Sequence, residues 1–108
     1  MPAPSRYNRV AMATQKKSKP RAVITVIGAD KPGIVAAIAT FLANKTVNIC
    51  EMTQSVVDGV FTMTMIVDMA ASSTGLSDLA EQIDKVGREV GVTVHVHDEA
   101  IINAIHRV

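Results

Sequence analysis

An Asp-Gly dipeptide at residues 58 and 59 separates two long runs that are rich in strand-forming residues, 47–57 and 60–68. An Asp-Gly pair favours the tight two-residue turn of a β-hairpin, because that turn needs positive φ at both central positions. The turn also fixes the register of the two strands. Counting outward from Val57 and Val60 predicts four further pairs: Val56 with Phe61, Gln54 with Met63, Met52 with Met65 and Cys50 with Val67.

The two faces of this hairpin differ in polarity, since successive side chains of a strand point to opposite sides. The face that carries the four further pairs is apolar apart from Gln54, and its methionines are interpreted as core filling: Met52, Met63 and Met65. The other face is largely hydroxylic, with Ser55, Thr53 and Glu51 opposite Thr62, Thr64 and Ile66. One dry face and one polar face predict an antiparallel sheet with helices on a single side.

A strand and a helix precede the hairpin. The β-branched run 21–28 ends in glycine, which is typical of a buried strand. Pro32 then stands where the first turn of a helix needs no donor, and we expect the helix to end near Asn44. Its apolar residues recur at helical spacing: Ile34, Ile38, Phe41 and Leu42.

A second helix and a fourth strand follow the hairpin. The polar loop 72–75 is expected to cap the helix, and Gly91 is expected to end it. The apolar stripe of this helix consists of Leu76, Leu79, Ile83, Val86 and Val90. Residues 93–98 alternate between valines and polar residues as a strand does, and residues 100–108 are predicted to form a short terminal helix folded back on the domain.

The order strand, helix, strand, strand, helix, strand predicts the α+β class with a ferredoxin-like β-α-β-β-α-β antiparallel sheet, helices on one face and a short C-terminal helix. Right-handed crossovers place the first and third strands in the centre of the sheet and the other two at its edges. Because an exposed edge strand can pair with another chain, a homodimer formed through an edge is expected.

Charge divides the chain of 108 residues into a basic beginning and an acidic remainder. The first 21 residues carry six of the eleven basic residues and no acidic one, whereas the rest carries five basic and all ten acidic residues. We interpret residues 1–20 as a flexible basic tail, with Met12 as a conceivable start of translation, and residues 21–108 as one domain. An acidic domain with only 3% aromatic residues argues against nucleic-acid binding by the domain itself.

Neither catalysis nor metal binding is predicted. Cys50 is the only cysteine, which indicates a reducing, cytoplasmic location, and a buried place on a strand is its expected role. His95 and His97 point to the same side of a strand, but no carboxylate or thiol is clearly placed to complete a metal site. Cys50 with one of the histidines is the only conceivable pair of a nucleophile and its base, and no carboxylate pair is found, so the chain is not expected to be an enzyme. No cofactor is expected, and no segment is apolar for long enough to span a membrane.

The segment 28–36, Gly-Ala-Asp-Lys-Pro-Gly-Ile-Val-Ala, is the strongest candidate for a binding site. It joins the end of a strand to the start of a helix, where unpaired backbone N–H groups and the helix dipole favour an anionic group such as a carboxylate. Asp30 is positioned to accept an ammonium group, Lys31 to face a carboxylate, and Gly33 to allow close approach. The alternative interpretation is structural, with Asp30 as a cap, Pro32 as a helix starter and Gly33 as a packing contact.

This segment, together with Val47, Asn48 and Ile49 at the start of the second strand and Phe61 in the hairpin, resembles the ACT-domain family. The likeness runs from about Arg21 to Val108 and is greatest to small stand-alone ACT proteins related to regulatory modules of the glycine-cleavage repressor type. It implies a ferredoxin-like fold that dimerises and often binds amino acids or similar effectors at the interface between two domains. The site residues that it implies are Asp30, Lys31, Pro32, Gly33, Ile34 and Val35, with Asn48, Ile49 and Cys50 across the interface.

The resulting hypothesis is a regulatory module that binds an amino acid or related small carboxylate between two copies and acts on a target protein. A different hypothesis is a protein-interaction module that docks a partner through its sheet edge or its hydroxylic face and takes no small ligand. The chain carries no attached enzyme or DNA-binding domain that would identify a target.

Overall fold

The computed structural model describes residues 20–100, and these form the predicted sequence of elements. The strands are β1 (Arg21–Ala29), β2 (Asn48–Val57), β3 (Val60–Asp68) and β4 (Val92–Asp98), and the helices are α1 (Ile34–Asn44) and α2 (Leu76–Glu89). The basic tail and the C-terminal helix of the sequence prediction, including His106, lie outside the described residues. Neither described helix is long and apolar enough to cross a membrane.

The four strands form one antiparallel sheet in the order β2-β3-β1-β4. The predicted placement of the strands is therefore confirmed, with β1 and β3 in the centre and β2 and β4 at the edges. Arg21 pairs with Asp68 at one end of the sheet, and Ala29 pairs with Val60 at the other. We call the second end the hairpin end, because the turn at Asp58 and Gly59 lies there.

The core lies between the sheet and the two helices. Alternate residues of the central strands are almost fully buried on one face of the sheet: Ala22, Ile24 and Val26 of β1, and Phe61, Met63, Met65 and Val67 of β3. Ile34, Ile38 and Leu42 of α1 and Leu79 and Ile83 of α2 complete this cluster. The four-residue spacing predicted for α1 is what brings its three buried residues to the same side.

Gly87 allows α2 to lie close to β4. A Cβ atom at this position would lie 2.6 Å from Val94 Cγ2 and 3.0 Å from the carbonyl oxygen of Val92. The second contact involves backbone, which has little freedom to move, so a larger residue would push the helix away from the sheet.

The hairpin turn has the predicted geometry, with φ of 53° at Asp58 and 80° at Gly59. The predicted pairs are confirmed from Val57–Val60 to Met52–Met65. The pair of Cys50 with Val67 is wrong, because a bulge between Ile49 and Glu51 leaves Cys50 as the extra residue and pairs Ile49 with Val67.

The predicted dry face is confirmed on β3 but not on β2. Met63 and Met65 are 2% and 1% exposed, whereas Met52 is 40% and Val56 is 53% exposed. Every residue of β2 from Cys50 onward is exposed. Met52 is therefore not core filling, because the helices leave the outer part of this edge strand uncovered.

The loop before α2 does not cap the helix with a side chain. The N-cap is Gly75, whose extended backbone makes no side-chain cap bond. Ser72 Oγ instead donates to the carbonyl oxygen of Thr74 at 2.7 Å and accepts from the N–H of the same residue at 3.1 Å. Ser72 therefore stabilises the turn that contains it instead of capping the helix, which is a common role of serine.

Candidate ligand site

The loop between β1 and α1 is fastened to the hairpin turn. The backbone N–H of Asp30 donates to the carbonyl oxygen of Gly59 at 3.0 Å. Because Gly59 separates the two strands of the hairpin, this bond holds the loop at the hairpin end of the sheet, beside the last residues of the edge strand β2. The hairpin turn and the loop 30–35, the two segments that the sequence analysis emphasised, are thus linked by a hydrogen bond.

Helix α1 begins at Ile34, two residues later than a helix that starts at Pro32. Its N-cap is Gly33, with φ of 89°, and the carbonyl oxygen of Gly33 accepts the first helical bond from the N–H of Ala37 at 3.0 Å. No side chain caps the helix, and its first turn contains no acidic residue. Asp30 is therefore not the cap and Pro32 is not the first helical residue, so these two parts of the structural alternative are wrong.

The N–H groups of the first turn of α1 have no acceptor within the helix. Because no side chain caps this turn and no carboxylate of its own lies in it, these groups and the positive end of the helix dipole are not compensated locally. Ile34 contributes only backbone here, since its side chain is 2% exposed and lies in the core. The turn has the chemistry to bind a carboxylate through main-chain N–H groups.

Gly33 is needed for its backbone conformation and not for packing, since a Cβ atom at this position would meet nothing within 4 Å. We expect Gly33→Ala to cost about 1 kcal/mol of unfolding free energy more than Gly75→Ala. Gly75 is the matched control, because it is also an N-cap with open space around it but has φ of −78°. Urea titration of both variants measures the difference, and equal losses would show that positive φ at Gly33 carries no strain.

Lys31 extends away from β2. Its side chain lies against Gly91, where an added Cβ atom would be 2.9 Å from Lys31 Cε. Gly91 follows the C-terminal end of α2, which attracts a cation through the helix dipole. The structure thus places the Lys31 ammonium group beside a helix end near β4, at the opposite side of the sheet from β2.

The second group of predicted site residues lies at the other end of the sheet. Asn48 pairs with Asp68, which pairs with Arg21, whereas the loop follows Ala29 at the hairpin end. A strand of nine residues separates the two groups by about 30 Å. Within one chain, Asn48, Ile49 and Cys50 therefore cannot line the same pocket as the loop.

Cys50 is exposed, so its predicted buried role is wrong. The bulge is the physical reason, since it leaves this residue without a partner on β3 at the edge of the sheet. The Arg21 guanidinium lies near this end and binds Glu99 through Nε at 2.9 Å and Nη2 at 2.6 Å. Hydrogen bonding to Glu99, with smaller contributions from Cys50, raises the pKa of Arg21 in spite of partial desolvation.

Two surface depressions were not predicted from the sequence. One lies along the hairpin and is lined by Thr53, Gln54, Ser55, Thr62, Met63 and Thr64. The other lies at the end of the sheet opposite the turn and is lined by Pro20, Arg21, Met69, Thr74, Gly75, Leu76 and Asp98. Neither contains a residue of the loop 30–35.

His95 and His97 lie on the face of the sheet opposite α1 and α2, called the helix-free face because neither described helix packs on it. Their rings are 6.3 Å apart and nearly parallel. Both are exposed. Among residues 20–100, no group of three metal-ligating side chains comes together around them or elsewhere.

The sheet order and the two helices on one face define the ferredoxin-like α+β class. A profile of the ACT-domain family matches residues 21–97. The chain belongs to the ACT-domain family, which confirms the resemblance drawn from the loop and the hairpin.

Within this family the chain is similar to a UPF0237 protein from Methanopyrus kandleri, with 46% identity over 88 residues that cover 82% of this chain and 98% of that protein. Among solved structures, an ACT domain protein from Streptococcus pneumoniae has a TM-score of 0.70 and 31% identity, covering 77% of this chain and 93% of the other. A protein described as a glycine cleavage system transcriptional repressor shares the fold, with a TM-score of 0.66 at 18% identity. That similarity covers 75% of this chain and 46% of the repressor.

Proposed function

We propose that this ACT domain binds an amino acid or a related small carboxylate between two copies of the chain. The loop residues Asp30, Lys31, Pro32, Gly33, Ile34 and Val35 of one copy form one wall, and Asn48, Ile49 and Cys50 of the other copy form the second. Binding changes the packing of the two copies and so acts on a target protein in the cytoplasm. The domain itself catalyses no reaction.

The observation that carries this proposal is the uncompensated first turn of α1. Its N–H groups face no side-chain cap and no acidic residue of the turn itself, and a Cβ atom at Gly33 would meet nothing within 4 Å. The ligand carboxylate binds these N–H groups, and the exposed Asp30 carboxylate accepts the ligand ammonium group. Lys31 contributes its backbone, since its side chain lies against Gly91.

Pairing of two β2 strands brings the separated halves together. A two-fold axis through the middle of the antiparallel pair places Asn48 of the second copy beside Val57. Val57 neighbours Val60, which neighbours Ala29. Asn48 of the second copy thus reaches the hairpin end of the first, about 14 Å from Ala29 across three strand spacings, and the loop 30–35 lies at the same end of the sheet.

The surface of β2 suits such pairing. Within residues 20–100 β2 has a hydrogen-bonded neighbour on one side only, so its outer backbone groups are available to another strand. Met52 and Val56 are exposed on the side of the sheet that carries the helices. A second copy would remove both side chains from water.

Calorimetric titration with the proteinogenic amino acids and their 2-oxo and 2-hydroxy analogues tests the proposal. We expect at least one compound to bind with a dissociation constant below 1 mM, on the order of −4 kcal/mol or better. Asp30→Ala and Asn48→Ala are each expected to weaken binding at least tenfold, whereas Glu81→Gln and Asn44→Ala, at other exposed positions, are expected to leave it unchanged. Absence of binding across the whole set at 10 mM ligand would contradict the proposal.

The alternative of a protein-interaction module is favoured by one observation. Ile27, Val57 and Val60 are 49%, 68% and 44% exposed and lie together at the hairpin end of the helix-free face. A patch of this kind is typical of a docking surface for another protein. Stable co-purification with one defined partner, combined with no ligand binding in the calorimetric titrations, would support this alternative over ligand binding.

A further inference from the structure

His95 and His97 form a pair of neighbouring imidazoles on the edge strand β4. Residues two apart on a strand share one face, and the rise of the strand separates them by about 7 Å. Both side chains are exposed on the helix-free face, and their ring centres lie 6.3 Å apart with an angle of 22° between the ring planes. The two rings therefore lie next to each other, and both are accessible from solvent.

This separation is close to the one that a shared metal ion requires. A histidine nitrogen lies about 2.0–2.1 Å from a bound Zn²⁺ ion, so the centres of two imidazole rings on the same ion lie about 4.5–6 Å apart. The observed distance of 6.3 Å is only slightly longer. Small rotations about the side-chain bonds can close the difference, and the backbone of β4 does not need to move.

The charges around the two histidines do not oppose a cation. Their pairing partners on β1 are Thr25 and Val23, which are uncharged. Arg21 is the only basic residue of β1, and its guanidinium binds the Glu99 carboxylate through hydrogen bonds of 2.9 and 2.6 Å, which offset its charge. Residues 22–108 carry five basic and ten acidic residues, so the domain as a whole attracts cations.

We propose that His95 and His97 together bind a late first-row divalent metal ion such as Zn²⁺, Ni²⁺ or Cu²⁺. Imidazole nitrogens are preferred ligands of these ions, whereas Mg²⁺ and Ca²⁺ prefer oxygen ligands. Among residues 20–100 no third metal-ligating side chain joins the pair, so water fills the remaining coordination positions and can exchange with another ligand. Because β4 and β2 lie at opposite edges of the sheet, this site is separate from the proposed pairing through β2.

Calorimetric titration of the full chain with Ni²⁺ tests the proposal. We expect one ion per chain, with a dissociation constant below about 100 µM. His95→Gln and His97→Gln are each expected to weaken binding at least tenfold, because a single imidazole cannot chelate the ion. His106→Gln is the matched control, since it makes the same change at the third histidine of the chain, and it is expected to leave the affinity unchanged.

Two results of this titration would contradict the proposal. Equal affinity of the parent chain, His95→Gln and His97→Gln would show that the ion binds elsewhere. One ion per two chains would show that the ion bridges two copies, and a site within one chain would then be wrong.

Nuclear magnetic resonance of the imidazole nitrogens gives an independent measurement on the parent chain. Addition of Zn²⁺ is expected to shift one ring-nitrogen resonance of His95 and one of His97, whereas the same concentration of Mg²⁺ is expected to shift neither. A purely structural pair of exposed histidines would not distinguish the two ions. A Zn²⁺-dependent shift of only one of the two rings would overturn the proposed chelate.

Discussion

Lysine at both Met52 and Val56 is expected to raise the dissociation constant of the paired copies at least a hundredfold. The proposed two-fold arrangement brings these positions on the two β2 strands close together, so four ammonium groups would have to leave water beside one another. Both side chains are exposed in the single chain, at 40% and 53%, so the fold itself should lose little stability. Sedimentation equilibrium over a range of concentrations measures the effect.

The matched control carries the same two charges on the other edge of the sheet. Thr93 and His95 are exposed on β4, and lysine at both positions is expected to leave association unchanged. If the β2 variant associates like the parent chain while the β4 variant does not, the copies pair through β4. The proposed seam at β2 would then be wrong.

Ile38→Ala is expected to reduce the free energy of unfolding by about 2–5 kcal/mol, because it leaves a cavity between α1 and the sheet. Ile38 is fully buried, and a small domain has only about 5–15 kcal/mol of stability in total. Ile27→Ala removes the same atoms from a side chain that is 49% exposed, and we expect it to cost less than about 1 kcal/mol. Urea denaturation compares the two, and similar losses would show that the core does not lie under α1.

The local features of the fold could be predicted from the sequence because each has a local physical cause. The Asp58–Gly59 turn sets the register of the hairpin without help from the rest of the chain. The spacing of Ile34, Ile38 and Leu42 is enough to predict which side of α1 is buried. The order of elements and the handedness of crossovers then determine which strands are central.

The features that were missed depend on how the elements pack. Nothing in the run 47–57 indicates the bulge at Cys50, because its residues would pair equally well without one. The alternation of polarity predicted that Met52 lies on the helix side of the sheet, and its pairing with Met65 confirms this. How much of that side the two helices cover depends on tertiary packing, so the exposure of Met52 could not be predicted. The start of α1 at Ile34 was likewise missed, and it follows a loop that a hydrogen bond from Asp30 to Gly59 holds at the hairpin turn.

The two segments of the candidate site could be predicted from the sequence, but their positions relative to each other could not. The loop 30–35 and the start of β2 have different positions in the sequence, and the register of the sheet separates them by its whole length. A site that contains both segments requires two chains. This separation is the physical reason for linking ligand binding to association.

Mixing the two weakly binding variants tests this link most directly. In a mixed pair of Asp30→Ala and Asn48→Ala chains, one of the two binding sites carries both substitutions and the other carries neither. Random mixing makes half of the pairs mixed, so a mixture of two chains that each bind at least tenfold more weakly is expected to recover about a quarter of the parent number of binding sites, with the parent affinity. Recovery of no sites after verified exchange of subunits would show that each site lies within a single chain and would contradict a ligand bound between copies.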